Sequence, residues 1–350
     1  MKTNKNDHQQ GVKSMLNRRY LVFGLAPAVL VAGIFSGSGA VLAQDPLRVA
    51  LILTGPITDG GWAQLAYEGL QELGAKDGFD VGYAENVTQA NLTQVVQGYA
   101  DDGYHLIIGH GYEFGSAFLE IAPDYPEQKF FASTFKPQDE VPANVGFIDL
   151  AYYDASYGAG ALAALISENG KAVGYVGGGD NPTQQRMMAS FIGGAEQTRA
   201  GVKGLGIITG DYDNAGKGSE AAAAMVSNGA DVIWHGANVT GLGAIQGAVA
   251  QGAKVLGAYS DQTSVAPDQM GTSFVMNLGW MVVQVGESVA TDSFMGGQEW
   301  QPTVTDMWSL KAGDKGDHNP AVISDEAWAA FQKVWQDLGS GAVDVAKLVP

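Results

Sequence analysis

Six short segments of this 350-residue chain place glycines, carboxylates and aromatic rings where apolar runs end. They are Thr58-Asp59-Gly60-Gly61-Trp62, His110-Gly111-Tyr112-Glu113, Gly177-Gly178-Gly179-Asp180, Gly210-Asp211-Tyr212-Asp213, His235-Gly236-Ala237-Asn238 and Tyr259-Ser260-Asp261-Gln262. Tryptophan and tyrosine at such positions can sandwich a flat heterocycle, while aspartate and asparagine share hydrogen bonds with hydroxyl or ring N–H groups. That combination suits a nucleoside or nucleobase. For any single segment a Gly-Asp pair reads as turn or helix-cap chemistry; six in series read as a site.

Catalysis finds less support in the same residues. Of the five histidines, His8 and His318 lie near the two ends, and His110 and His235 end apolar runs without a serine elbow, a cysteine or a paired metal-ligand spacing beside them. Binding or packing is the reading for both. The Gly177-Gly178-Gly179 triplet fails the G-x-G-x-x-G test because Asp180, Asn181 and Pro182 follow it, and Asp180 would repel a phosphate. Trp328, Phe331 and Trp335 recur at helical spacing and read as a core-facing helix.

The elements that must position these segments alternate. Short β-branched runs (Arg48–Leu53, Phe79–Glu85, His105–Gly109, Phe130–Ser133, Val145–Ile148) are separated by amphipathic stretches such as Gly61–Lys76 and Asn91–Asp101. A second series follows, with helix Ala155–Ile166, strand Ala172–Val176, helix Pro182–Arg199, strand Val202–Ile208, helix Gly218–Ser227, strand Val232–Trp234, helix Gly243–Gln251 and strand Lys254–Ala258. This rhythm predicts an α/β protein with two Rossmann-like lobes, each a parallel sheet covered by helices on both faces. Ligands of such sheets sit beyond the carboxyl ends of the strands, so a cleft between the lobes is expected. Thr272–Met276 and Val304–Ser309 read as hinge crossings. The expected organisation is a segment 1–43 removed on export, a first lobe over 46–149 plus about 270–300, and a second over 150–269 plus about 301–350.

The N-terminus supports export. Lys2, Lys5, Lys13, Arg18 and Arg19 precede an uncharged run from Tyr20 to Gln44, and Val41-Leu42-Ala43 offers small residues for cleavage after Ala43. The pair Arg18-Arg19 also suits a twin-arginine signal. The apolar stretch is short for a membrane span. No cysteine is present, which excludes disulfides, thiolate metal sites and lipid attachment through cysteine. The net charge is −18, and losing the five basic groups and one acidic group of residues 1–43 takes it to −22. Such a surface repels nucleic acid and anionic lipid. The expected state is therefore unanchored in the periplasm.

With these segments in place the chain resembles the BMP (basic membrane protein) family of solute-binding proteins, PnrA-like purine nucleoside receptors. The likeness runs from about Arg48 to Met276. Asp59-Gly60-Gly61-Trp62-Ala63-Gln64 matches the family's D-x-S-F-N-Q with Trp for Phe. Asn144-Val145, Tyr157-Gly158-Ala159-Gly160, Val173–Gly178, Phe191–Gly194 and Gly229–Ile233 follow its middle section in order. The resemblance implies a type I periplasmic-binding-protein fold with a multi-strand hinge. It implies stacking aromatics at Trp62 and Tyr212, a glycine loop at Gly236 and Gly241, and an acidic turn at Gly257–Gln262 in which Tyr259 replaces an aspartate. A lysine of the family falls on Met276.

Asp59, Trp62, Gln64, Tyr112, Tyr212, Gly236, Asn238, Tyr259, Asp261 and Met276 are the expected ligand contacts. The expected mechanism is closure of the cleft on the ligand, with Asp59, Asn238 and Asp261 at its polar edge, followed by docking on a membrane permease. No metal or organic cofactor is implied. Base, nucleoside and another small polar solute remain open as ligands. A sensor-coupled receptor and an exported nucleoside hydrolase are the rival roles, the latter opposed by the scatter of the aspartates.

Overall fold

The architecture, seen in a computed structural model, is described for residues 45–133 and 140–348. The export segment 1–43, with its cleavage point and Arg18-Arg19, lies outside the described residues. The first series comprises β1 (Leu47–Leu53), α1 (Trp62–Gly74), β2 (Phe79–Ala84), α2 (Leu92–Asp101), β3 (Leu106–His110), α3 (Phe114–Ile121), β4 (Lys129–Ser133) and β5 (Val145–Ile148). The second comprises α4 (Tyr152–Ile166), β6 (Ala172–Gly177), α5 (Pro182–Thr198), β7 (Lys203–Ile208), α6 (Ala215–Ser227), β8 (Ala230–Gly236), α7 (Asn238–Ala250), β9 (Lys254–Tyr259) and β10 (Met270–Met276). The chain finishes with α8 (Leu278–Ala290), β11 (Gln298–Trp300), α9 (Val304–Met307), β12 (Trp308–Lys311), α10 (Asp325–Gly339) and α11 (Val345–Leu348).

Two six-stranded sheets result, in the orders β11-β5-β4-β3-β1-β2 and β12-β10-β9-β8-β6-β7. Every pairing in the first sheet is parallel, and in the second only β10 with β12 is antiparallel. The chain therefore reverses its winding at β1/β3 in one sheet and at β6/β8 in the other. At each of these switch points the flanking helices leave in opposite directions and open a crevice at the carboxyl ends of the strands.

β1 shows how the sequence dictates this. Its alternate residues Val49, Leu51 and Leu53 enter one apolar cluster, and Ala50 and Ile52 enter another on the opposite face. A strand apolar at successive positions must be covered twice, which requires helices on both sides. α1 supplies one cover through Ala63, Ala66, Leu70 and Leu73. It meets α8 at a crossing where a Cβ on Gly69 would stand 2.4 Å from Gly279 Cα.

The chain passes between the sheets three times, at 149–151, at Asn277 and at 301–303. Hydrogen bonds tie the crossings together: Asp149 N donates to Trp300 O (2.8 Å), Asn277 N to Met307 O (2.9 Å), and Trp308 Nε1 to Leu150 O (2.8 Å). The structure differs here from the sequence reading. Thr272–Met276 is no hinge crossing, because it belongs to β10, packed between β9 and β12 in the second sheet. The stretch from Val304 to Ser309 is not one strand either. Thr303 and Asp306 form a reciprocal capping box that starts the short helix α9, and only then does β12 begin.

Candidate functional site

A cavity of about 310 Å³ lies at the two switch points, at the lower end of the range of about 300–1,000 Å³ typical of small-molecule pockets. The first sheet contributes Thr54, Gly55, Pro56 and Asp59 after β1, Trp62 at the start of α1, and Gly111, Tyr112 and Glu113 after β3. The second contributes Asn181–Gln184 and Met187 from the start of α5, Tyr212 and Asp213 after β7, Asn238 after β8, and Tyr259 at the end of β9. Tyr152, just past the first crossing, completes the wall. The loops of the two sheets touch beside the cavity, where the Ser260 hydroxyl donates to Gly60 O at 2.8 Å.

Trp62 is held from two directions. The Asp59 carboxylate accepts from Gly61 N (2.9 Å), Gln64 N (3.1 Å) and Ala63 N (2.8 Å), satisfying backbone donors that the first turn of α1 would otherwise leave without partners. The Asp59 carboxylate is thus spent on the loop that carries Trp62. Behind the indole lies the His110 ring, stacked at 3.7 Å between centroids and 21° between planes. His110 Nε2 stands 3.1 Å from Trp62 O, and Nδ1 stands 3.0 Å from Ser133 Oγ. A carbonyl can only accept, so Nε2 carries the proton and Nδ1 accepts from the serine. Burial pushes the His110 pKa down to about 3. The ring is a neutral backing plate.

Tyr212 is mounted differently. A Cβ on Gly178 would lie 2.2 Å from its Cδ1, and one on Gly179 would lie 2.6 Å from its Cε2. The ring therefore rests directly on the backbone of the glycine triplet. The triplet is a shelf for an aromatic ring, which accounts for its failure as a phosphate loop. Asn181 Nδ2 donates to the Tyr212 hydroxyl at 3.0 Å while Asn181 Oδ1 accepts from Gln184 N, capping α5 with the same side chain. Burial raises the pKa of the phenol.

Gln184 forms the buried polar floor. Its Oε1 accepts from the Tyr175 hydroxyl (2.7 Å) and from Gly178 N (3.2 Å), and its Nε2 donates to Gly236 O (2.9 Å). Above it stands Tyr259, whose backbone takes a left-handed φ of 71°. Burial, then the neighbouring Tyr212, drives the Tyr259 pKa far up, so it stays a neutral phenol. Tyr152 continues the aromatic wall, 6.2 Å from Trp62 and 5.9 Å from Trp308 between centroids.

Of the ten expected contacts, Asp59, Trp62, Tyr112, Tyr212, Asn238 and Tyr259 line the cavity. Four do not. Gln64 Nε2 donates to Glu68 on the surface of α1 (2.9 Å), and Gly236 ends β8 with its carbonyl taken by Gln184. Asp261 is already engaged: Oδ1 accepts from Thr263 N and Oγ1 two residues on, as an aspartate in such a turn does, and Oδ2 accepts from Gly313 N in the segment after β12. Met276 is buried opposite Trp308 on β12. At the polar edge this leaves Asn238, with Asp59 holding its own loop. Sequence reasoning missed Thr54, Tyr152, Asn181, Thr183, Gln184 and Met187. Asn181-Pro182 followed by Gln184 carried a usable signal, an N-cap, a proline at the first helical position and a glutamine at the third.

Neither cavity-side histidine is a free acid or base. His235 is buried with Nε2 2.9 Å from Gln262 Oε1, and burial lowers its pKa to about 4. Among the described residues no group of three or more histidines or carboxylates could hold a metal ion. No described helix is long and apolar enough to cross a membrane.

Two doubly wound sheets facing one aromatic cavity, with three crossings between them, define a two-lobed solute-binding protein. The chain belongs to the Bmp family, the PnrA-like substrate-binding proteins of ABC transporters, whose pattern matches residues 47–310. It is therefore the ligand-capturing partner of a membrane permease and not an enzyme. It is 28% identical over 289 residues to a purine-binding protein of Brucella abortus, covering 81% of this chain and 78% of the relative. It is 26% identical over 320 residues to basic membrane protein A1 of Borrelia garinii, covering 90% and 91%. A solute-binding protein of an ABC transporter system from Aeropyrum pernix shares the fold with a TM-score of 0.74 at 21% identity, over 85% of this chain and 93% of that one.

Proposed function

We propose that the protein captures a purine base or nucleoside in the periplasm, gripping the flat ring between Trp62 and Tyr212, and hands it to the permease. The observation that carries this is the mounting of the two rings. Each is fixed from behind, by neutral His110 on one side and by the Gly178-Gly179 backbone on the other, so each keeps a face for a ligand. Fixed plates cost little entropy on binding, and flat rings stack on them at small geometric penalty. Thr54, Asn181, Thr183 and Asn238 can address the ring edge. The purine-binding relative supports the same class of ligand.

In this reading the closing bodies are residues 46–133 and 140–148 with 278–300, and residues 152–276 with 304–348, turning about the three crossings. Export by cleavage after Ala43 delivers the protein to the compartment where its permease opens.

A thermal-shift screen of purine and pyrimidine bases, nucleosides and pentoses tests the reading, since a ligand selective for the native state raises stability by mass action. Purines should raise the midpoint in the native protein and fail to do so in Trp62→Ala. Silence from every base and nucleoside would sink purine capture.

A further inference from the structure

The cavity wall holds Trp62, Tyr112, Tyr152, Tyr212 and Tyr259, and among the described residues that line it there is no lysine, arginine or histidine. Its carboxylates beyond the committed Asp59 are Glu113 and Asp213, one from each sheet, both solvent-exposed at the rim. Glu113 stands close enough to Tyr212 to act on its phenol across the cleft. Cations on neighbouring elements are already engaged: Lys217 with Asp211 at 3.1 Å, and Arg186 over the Tyr153 ring at 4.2 Å. Among the described residues no lysine or arginine stacks on Trp62 or Tyr212. Their backing groups, a neutral imidazole and a peptide, leave the electron-rich faces undiminished.

A ring that carries positive charge gains from all of this at once. It meets the negative faces of two aromatic plates and two rim carboxylates, and a protein of net charge −18 steers it in. An anion meets the reverse. We infer that the site discriminates by ligand charge, preferring a cationic planar heteroaromatic, such as an N-alkylated or protonated purine, over a neutral ring of the same shape, and rejecting phosphorylated forms. This rests on the stacking reading above and adds to it the charge of the ligand.

The test uses 7-methylguanosine, cationic in mildly acidic buffer, and its neutral isostere 7-deaza-7-methylguanosine, each also offered without ribose as the 9-methyl base. Calorimetric titration should show the cation binding about tenfold more tightly than the isostere, with a preference that shrinks as salt rises. Glu113→Gln combined with Asp213→Asn should lower the ratio of the two affinities. Equal affinities, or a preference for the neutral isostere, would overturn the charge inference while leaving the stacking reading intact. Failure of both the cation and the isostere to bind, with and without ribose, would overturn both.

Discussion

Gly178→Ala offers a severe check on the role of Tyr212, because the structure sets the size of the disturbance. Gly178 does not have a left-handed φ, so alanine imposes no backbone strain. The new methyl would lie 2.2 Å from Tyr212 Cδ1 and 2.3 Å from Cε1. To regain an ordinary contact of about 3.5 Å the ring must move by more than about 1 Å. It can only move off its shelf toward the cavity, which stretches the 3.0 Å bond from Asn181. A stacked ligand then loses one correctly spaced face, worth about 0.5–1.5 kcal/mol beyond the buried area, and part of its space. Affinity should fall about tenfold or more, while the loss of thermal stability stays near 1 kcal/mol because the ring is only partly buried. Calorimetry on the variant with the best ligand of the screen, beside its melting curve, reads both quantities. Undiminished affinity in a folded Gly178→Ala protein would refute the claim that Tyr212 is a ligand plate.

Asp59→Ala should cost about 1–2 kcal/mol of stability, since three backbone donors at the start of α1 lose their acceptor, and it should weaken binding by loosening Trp62; chemical denaturation shows the first and titration the second. Asp154 is pushed up to about 6 from 3.8, chiefly by burial and then by Asp149 and Asp344. A folded-state pKa above the unfolded one stabilises fully below about pH 4 and loses that contribution as pH rises through about 6. Asp154→Asn should therefore raise stability at neutral pH by about 1–3 kcal/mol and flatten the melting profile between those pH values; an unchanged profile would contradict the burial of that carboxyl. Gln184→Leu strips the Tyr175 hydroxyl, Gly178 N and Gly236 O of their partner. It should cost about 2 kcal/mol or more and lower affinity, read by melting and titration.

The fold was legible because apolar periodicity is a local property. The runs that became β1, β3, β6 and β8 are buried on both faces, and that alone demands a helix-covered parallel sheet. Trp62 and Tyr212 were legible because loops at the ends of such strands converge. The rest depends on convergence in three dimensions. Asp59 and Asp261 look alike in the sequence, yet Asp59 bends back on its own loop and Asp261 ties its loop to Gly313, and only the folded backbone reveals that their oxygens are spent. Gln184 and Tyr152 sit in the first turns of helices, where nothing local tells a cavity-facing side chain from a core one. Met276 pairs with Trp308 across strands joined by more than thirty residues of chain, so its burial was invisible to any reading of its neighbours.

A crystal structure of the protein grown with the purine that shifts its melting point most is the most direct measurement. A single planar ligand should lie between the Trp62 indole and the Tyr212 phenol, in stacking contact with both, with His110 still behind Trp62 and the Gly178-Gly179 backbone still behind Tyr212. Ligand bound away from these two rings, or lying edge-on to both, would contradict that placement.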